Sequence, residues 1–526
     1  MKILSAAQFY EADKVTVTKN KMTSADLMER AATVCFQWIH SRLNGNNIPI
    51  KVFCGTGNNG GDGLVIARHL KQHGYNVSTY VVNCSNIRTQ DFLTNYERLK
   101  ELGVWPEVIT CTTELPVLSE NDMIVDAIFG LGLTRPPTDV IKEVIQHINA
   151  VNAYVLSIDF PSGLYADKSI EDKDAVIKSF QTLTFQSPKL AFMLPENQDY
   201  INLWEVVDIG LDAEFMNNVV VENHIIGKEN AQLFYKYRKK FSYKGDYGHS
   251  LLIGGSFGKI GAVSLASKAA LTIGSGKVTA YIPNCGYQIL QTALPEVMVE
   301  VDTEKEITQF KSKVDATVIG IGMGLGTSAK TAAGFAQFLS ANKKPLVIDA
   351  DGINLLAKNK DLLKLIPENS VLTPHPKEFE RLVGKCKNDF DRLTKLKKLA
   401  VKHKLVVVLK GAYTAIAHQG VTYFNATGNP ALATAGSGDV LTGIITGLIA
   451  QGYSPFEASI LGVYLHGKTA ELAMTNLVYE TFNASDSIDY LSDAYKDLLT
   501  QELPTTEQQE EVPNQELDTE NNTMHL

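Results

Sequence analysis

The chain has 526 residues, 44% of them hydrophobic, and a formal net charge of −9. That length exceeds one ordinary core and predicts two or three soluble domains. The acidic balance weighs against a nucleic-acid surface; the start has no long apolar stretch and no run approaches a membrane span, so a cytoplasmic protein is expected.

Six scattered cysteines (Cys35, Cys54, Cys84, Cys111, Cys285, Cys386) form no C-x-x-C pair. They read as reduced thiols, not as a disulfide frame or a zinc site. In chain order, residues 24–42 carry helical apolar spacing behind Ser24, a plausible N-cap. A short strand over 48–54 then feeds Gly55-Thr56-Gly57-Asn58-Asn59-Gly60-Gly61-Asp62-Gly63, and a helix is expected over 64–73. Strand, Gly-rich turn and helix is the phosphate-binding layout of a doubly wound sheet. Two asparagines and an aspartate inside the loop add side-chain contacts to the backbone ones; a solvated turn is the blander reading.

Further strands are expected over 75–82, 122–129 and 155–158, with a helix over 91–102. The strand at 122–129 carries Asp126 and leads into Gly130-Leu131-Gly132-Leu133-Thr134-Arg135-Pro136. The strand at 155–158 ends in Asp159-Phe160-Pro161-Ser162-Gly163. Three polar, Gly-rich turns would share the carboxyl edge of a parallel sheet, where ligands bind. Asn59, Asp126 and Ser162 are candidate hard oxygen ligands for a cation there. Each alone reads equally well as a helix cap.

The loop at 58–63, the Asp126 turn and the Asp159 turn together resemble the N-terminal epimerase domain of NAD(P)H-hydrate repair enzymes. The resemblance covers roughly residues 1–211. It implies a Rossmann-like three-layer domain that interconverts the R and S epimers of the hydrated cofactor. By resemblance Asn58, Asn59, Gly60, Gly61, Asp62, the turn from Gly130 to Pro136, and Asp159 bind the hydrate. Asn59, Asp126 and Ser162 hold potassium, and Asp159 is the candidate acid/base.

A polar segment over 222–242 marks a boundary. Beyond it, strands are expected at 250–253, 316–321, 346–349, 371–373 and 405–409. They end in Gly-rich or polar turns: 254–262, Gly322-Met323-Gly324-Leu325-Gly326, Asp349-Ala350-Asp351-Gly352, Pro374-His375-Pro376-Lys377-Glu378, and Lys410-Gly411-Ala412-Tyr413-Thr414. The alternation predicts a second α/β domain. His375 is stiffened by two prolines, for a ligand or only as a loop histidine. Lys410, at a strand end, suits a nucleotide phosphate or merely solvent. The run Ala433-Thr434-Ala435-Gly436-Ser437-Gly438-Asp439-Val440-Leu441-Thr442-Gly443 opens an apolar segment with small residues and one carboxylate. Such a run lets backbone N–H groups surround an anion at a helix start, with Asp439 beside it to take a hydroxyl proton. A Gly-rich turn with Asp439 as cap is the alternative.

These pieces resemble the ADP- or ATP-dependent NAD(P)H-hydrate dehydratase domain over about residues 243–473. The resemblance implies a ribokinase-like fold. It places Ala262, Gly322, His375 and Asp439 at the hydrate, and Lys410, Gly411, Ala412, Tyr413, Thr414 and Gly438 at the nucleotide. It also implies magnesium on the nucleotide, Asp439 as base, and a homo-oligomer. The fused architecture resembles bacterial and archaeal members, which implies ADP over ATP. The chain departs from the family pattern at Ala431-Leu432, where Gly-Met is frequent, and at Gly322-Met323-Gly324, where Gly-Pro-Gly is frequent.

The expected organisation is an epimerase domain at 1–221, a dehydratase domain at 222–500, and an acidic, disordered tail at 501–526. Substrates would be NADH hydrate, NADPH hydrate and ADP, with no nucleic-acid or membrane partner. Two rivals remain at this stage. A ribokinase-like vitamin or sugar kinase would leave a stable phosphorylated product, but the first domain weighs against it. A non-catalytic nucleotide-binding protein would not need both Asp159 and Asp439 in intact loops.

Overall fold

The computed structural model describes residues 1–83, 87–112 and 115–500. Cys84 and the acidic tail at 501–526 lie outside the described residues. Eighteen strands, counted among the described residues, form two sheets. The first sheet uses β2 (Ile50–Cys54), β3 (Val77–Val82), β4 (Glu107–Ile109), β5 (Met123–Ala127), β6 (Tyr154–Ile158), β7 (Ser179–Phe185) and β8 (Ile201–Val207). Its order is β4-β3-β2-β5-β6-β7-β8, and every pairing is parallel. The direction of winding reverses between β2 and β5, which opens a crevice at their carboxyl ends.

Strand side chains alternate between two apolar layers, as a sheet covered on both faces requires. Val52, Cys54, Val125 and Leu156 pack with Ala31, Leu64 and Leu70 from the helices Ser24–Leu43 and Asn58–Gln72. Phe53, Ile124 and Val155 pack with Val144, Ile145 and Ile148 of the helix Asp139–Asn149. This is the expected three-layer α/β unit.

The second sheet has eleven strands. Seven run parallel, in the order β16 (Val406–Leu409), β15 (Val371–Leu372), β14 (Leu346–Ile348), β13 (Val318–Ile321), β10 (His249–Ile253), β11 (Lys277–Ile282), β12 (Met298–Val301). Its winding reverses between β10 and β13. Beyond β16 the sheet continues with β17 (Ala415–His418), β18 (Val421–Asn425), β9 (Asn223–Ile226) and β1 (Lys2–Ile3). The chain's opening strand therefore completes the edge of the second sheet: Lys2 pairs with His224 and Ile3 with Asn223. Valines 318, 347, 371 and 406 face the apolar helix Ser437–Ala450, while Ile319, Ile321, Ile348 and Leu372 face Leu356 and Phe379. That second layer also takes in Ile3, Phe160, Phe192 and Tyr200, so one apolar cluster joins the two sheets' surroundings.

Polar contacts span the same junction. The Trp204 indole N–H donates to the Tyr413 hydroxyl at 3.0 Å. Glu196 and Asp389 cap each other, each backbone N–H donating to the other's carboxylate at 2.8 Å.

One expectation is corrected. The helix expected from residue 64 begins at Asn58, so the stretch read as a turn forms its first turns. Its glycines explain why: a Cβ at Gly60 would lie 1.9 Å from the Gly55 carbonyl oxygen, and one at Gly63 would lie 2.7 Å from Ala127 Cβ. The helix start is pressed onto the strand ends. The helix Ala6–Lys19, which opens on a Ser5/Gln8 capping box, was not anticipated, nor were β7 and β8. Among the described residues Cys35, Cys54, Cys285 and Cys386 carry free thiols. Among the described residues no helix is long and apolar enough to cross a membrane.

The helices Ser437–Ala450 and Ile260–Thr272 meet at Gly443, where a Cβ would sit 2.1 Å from the Ala266 carbonyl oxygen. Gly443→Ala should force the helices apart and lower stability by about 1–3 kcal/mol. Urea unfolding followed by circular dichroism measures it; an unchanged midpoint would refute the close approach.

Candidate active sites at the two sheet crevices

The first crevice is a cavity of about 790 Å³ at the carboxyl ends of β2, β5 and β6. Its wall includes Asn58, Asn59, Asp62, the turn from Gly130 to Pro136, and Asp159. Gly60 and Gly61 do not line it. They serve helix packing, and a Cβ at Gly61 would strike the Met28 sulfur at 2.6 Å. The unanticipated helix Ala6–Lys19 closes one side with Phe9, Tyr10 and Asp13.

Asp159 is buried. Its Oδ1 accepts the Phe185 N–H at 3.2 Å and pairs with Lys189 Nζ at 3.0 Å. Sequence reasoning missed Lys189 and Asp13. Lys189 directly follows Ser187-Pro188 at the end of a strand, the same signal that singled out Lys410. Burial and the neighbouring Asp159 carboxylate push Asp13 up to about 6, partly offset by Lys189. Burial, then Asp159, Asp13 and Asp91, raise Asp62 well above the carboxylate range. Three carboxyl groups, those of Asp13, Asp62 and Asp159, thus share the cavity wall.

Asp126 and Ser162 lie beneath that wall. The Ser162 hydroxyl donates to Asp126 Oδ1 at 2.5 Å, and the Ser162 N–H and Ser157 hydroxyl donate to Oδ2, each at 2.9 Å. Asn59 is brought to the same crevice but makes no hydrogen bond to either; both of its buried amide atoms lack a partner in the protein. A buried carbonyl oxygen with nothing to accept fits a cation ligand. Among the described residues no group of three or more His, Cys, Asp or Glu side chains is placed to hold a metal ion.

The second crevice lies at the carboxyl ends of β10, β13 and β14. Gly322 there has φ +123, and a Cβ on it would lie 2.0 Å from the Asp349 carbonyl oxygen. Only glycine fits that close approach. Ala262, on the helix Ile260–Thr272, stands next to the turn: a Cβ at Gly324 would come 3.1 Å from Ala262 Cβ. Gly436 is the left-handed N-cap of the helix Ser437–Ala450 and offers no side-chain acceptor, which leaves the first-turn N–H groups for an anion. Gly438 and Asp439 lie in that first turn.

Lys410 Nζ pairs with Asp349 Oδ1 at 2.8 Å and sits 3.0 Å from the Cβ position of Gly438. Asp349 is almost fully buried, and its Oδ2 accepts the Thr442 hydroxyl at 2.8 Å. Sequence reasoning placed Asp349 at a strand end and gave it no role. Burial first, then the Asp349 carboxylate, push Asp439 up to about 7, against the pull of Lys410. His375 caps the helix Pro376–Val383: its Nδ1 accepts the Lys377 N–H at 3.1 Å, which leaves Nε2 as the protonated nitrogen of the neutral ring. Burial and the nearby Lys410 and Arg381 lower its pKa, so that neutral form is favoured. Gly411, Ala412, Tyr413 and Thr414 form the turn between β16 and β17, with Tyr413 held by Trp204.

Comparison with known proteins agrees with two separate chemistries. A family model described as NAD(P)H-hydrate dehydratase matches residues 250–492, and one described as YjeF-related protein N-terminus matches residues 24–191. The bifunctional NAD(P)H-hydrate repair enzyme Nnr of Moorella thermoacetica is 34% identical over 511 residues, covering 93% of this chain and 96% of its own. That of Escherichia coli is 33% identical over 462 residues, covering 86% and 85%. The crystal structure of the ADP/ATP-dependent NAD(P)H-hydrate dehydratase from Bacillus subtilis, co-crystallised with ATP and Mg2+, is 31% identical; it covers 52% of this chain and 98% of its own, with a TM-score of 0.47. Identity of a third, sustained over nearly the whole of this chain and of its relatives, shows that this chain belongs to the family of bifunctional NAD(P)H-hydrate repair enzymes.

Proposed function

We propose that this chain epimerises hydrated NADH and NADPH in the first crevice and dehydrates the S epimer in the second, with ADP as phosphoryl donor. The observation that carries the reading is Asp439, a half-buried carboxylate in the first turn of a helix whose N-cap leaves room for a phosphate. We assign the epimerase to residues 1–221 and the dehydratase to 222–500, save that β1 completes the second sheet.

In the second crevice Asp439 takes the proton of the hydrate's hydroxyl. The freed oxygen attacks the terminal phosphorus of ADP, and AMP leaves. First-turn N–H groups, including that of Gly438, stabilise the charge on the phosphoryl in transit. The phosphate ester then eliminates: its C–O bond breaks, phosphate departs, the neighbouring ring carbon gives up a proton to solvent, and the double bond of the reduced nicotinamide is restored. Lys410 approaches this N-terminus through the gap left by Gly438, suited to a nucleotide phosphate. The turn Gly411 to Thr414 borders the nucleotide, and His375 Nε2–H is offered to the hydrate together with the backbone at Ala262 and Gly322. Magnesium would neutralise phosphate charge; with no protein cage among the described residues, it would be held through the nucleotide.

In the first crevice Asp159 removes the hydroxyl proton as the adjacent ring C–N bond opens, leaving a carbonyl. It returns the proton to the ring nitrogen. Reclosure on the other carbonyl face runs the same transfers backwards and yields the other epimer. Asn58, Asn59, Asp62 and the turn from Gly130 to Pro136 enclose the hydrate. Potassium would be held by Asn59, Asp126 and Ser162, where it would fix the strand-end turns; the partnerless Asn59 amide supports that ligand set. A cytoplasmic setting and a homo-oligomer belong to the same reading.

Purified protein given mixed-epimer NADH hydrate, magnesium, potassium and ADP should restore the reduced-nicotinamide absorbance completely. Asp439→Asn should cut that recovery by about 10²–10⁴-fold and leave epimer exchange unchanged; retained recovery would sink the assignment. The base must be ionised, so dehydration should fall as pH drops through about 7. Folding raises this carboxyl's affinity for its proton, so its stabilising contribution is full below the unfolded carboxyl range, near ~3.9, and is lost as pH rises through about 7. Asp349→Asn removes the neighbouring negative charge and should move the acidic limb of the rate profile to lower pH. A limb that stays in place would show that Asp349 does not set it.

A further inference from the structure

Asp159 enters the first crevice on a backbone that few non-glycine residues adopt, with φ +61. Its N–H donates to the Leu183 carbonyl at 2.7 Å, which locks that conformation. The two carboxylate oxygens then meet different surroundings. Oδ1 is engaged by the Phe185 N–H at 3.2 Å and by Lys189 Nζ at 3.0 Å. Oδ2 faces Gly130 on the cavity wall, 3.4 Å from the position a Cβ there would occupy.

Lys189 is only 1% exposed and is not part of the cavity wall. Its ammonium also donates to the carbonyls of Phe185 at 2.9 Å and Ser187 at 3.1 Å, and the Phe9 ring covers it at 4.0 Å. Three donors meet three acceptors, so no N–H is left for a ligand. Burying an ammonium costs several kcal/mol unless a carboxylate answers it. Here the answering carboxylate is Asp159. The other charged or titratable groups that bear on Asp159 are Asp13 and Tyr10 from the helix Ala6–Lys19, Cys35 from the helix Ser24–Leu43 and Asp62 from the helix Asn58–Gln72. Lys189 is thus the cation set against a wall of carboxyls.

We propose that Lys189 is a positioning residue of the epimerase site: by occupying Oδ1 of Asp159 it leaves Oδ2, aimed at the Gly130 turn, as the oxygen that exchanges a proton with the hydrate. The inference rests on the assignment of Asp159 as the acid/base. It concerns where one carboxylate oxygen points, and a displacement of about 1 Å at a proton-transfer atom is enough to cost about 10²-fold in rate.

The test is a double-mutant cycle in the full chain. Epimer exchange is measured without nucleotide, and dehydration of the pure S epimer serves as the control for folding. Lys189→Met should lower the kcat of epimerisation by about 10²-fold with KM little changed. Lys189→Arg, which restores a cation opposite Oδ1, should recover part of that loss. In an Asp159→Asn background, adding Lys189→Met should change the residual rate by less than about twofold, because the two residues act as one unit. Dehydration should be unaffected in every variant. The proposal is overturned if Lys189→Met costs the same factor in both backgrounds, if it raises KM and spares kcat, or if dehydration falls in parallel. Full epimerisation by Lys189→Met with an inactive Asp159→Asn overturns it alone. Full epimerisation by Asp159→Asn overturns the acid/base assignment beneath it.

Discussion

Both sites depend on backbone meeting backbone where each sheet reverses its winding. At the first crevice a Cβ on Gly55 would lie 2.0 Å from the Ile128 carbonyl oxygen. At the second, one on Gly254 would lie 2.4 Å from the Met323 carbonyl oxygen. Turns leaving neighbouring strands normally diverge around a crevice. Here the missing side chains let them close until the main chains touch, and Gly55 N–H bonds to Ala127 O at 3.0 Å while Gly255 N–H bonds to Met323 O at 2.7 Å. The crevice floors are therefore rigid peptide, and the acidic side chains stand on a fixed platform.

The two platforms carry a related electrostatic device. In each, the strand one step beyond the reversal ends in an aspartate: Asp159 after β6 and Asp349 after β14. In each, a lysine from a more distant strand end pairs with it, at 3.0 Å in the first and 2.8 Å in the second. The difference lies in depth. Lys189 is sealed, whereas Lys410 keeps about a fifth of its side chain exposed. A sealed pair acts only on its own carboxylate; a half-open pair keeps a cation within reach of a visiting phosphate. The same kind of ion pair is thus closed to solvent in one crevice and half-open in the other.

Much of this was legible in the sequence because strand-end chemistry is local. Asp126, Asp159, Ser162 and Lys410 were found at or just past the ends of apolar runs and Asp439 at the opening of one, and the structure brings each to a crevice. What escaped has a physical cause. The 58–63 stretch reads as a turn by glycine content, yet a Cβ on Gly61 would strike the Met28 sulfur at 2.6 Å and one on Gly63 would lie 2.7 Å from Ala127 Cβ, contacts between residues apart in the chain. Asp13 sits on a helix whose apolar face is thin, with only Phe9, Ala12 and Thr16 buried, so periodicity gave little warning. The partners of Asp349, namely Lys410 and Thr442, come from 61 and 93 residues downstream, and no local pattern links them.

The strand β1 has a consequence for how such a chain is made. Its partner β9 lies more than 200 residues downstream, and β9 in turn leans on β18 near residue 421. Contacts at such separation form late, after the intervening segments have been closed into place. A strand made that far ahead of its partner must stay unpaired while the intervening residues are synthesised. A two-residue strand is a short enough edge to wait without recruiting a wrong neighbour. Its docking then latches the earlier-made unit to the later one.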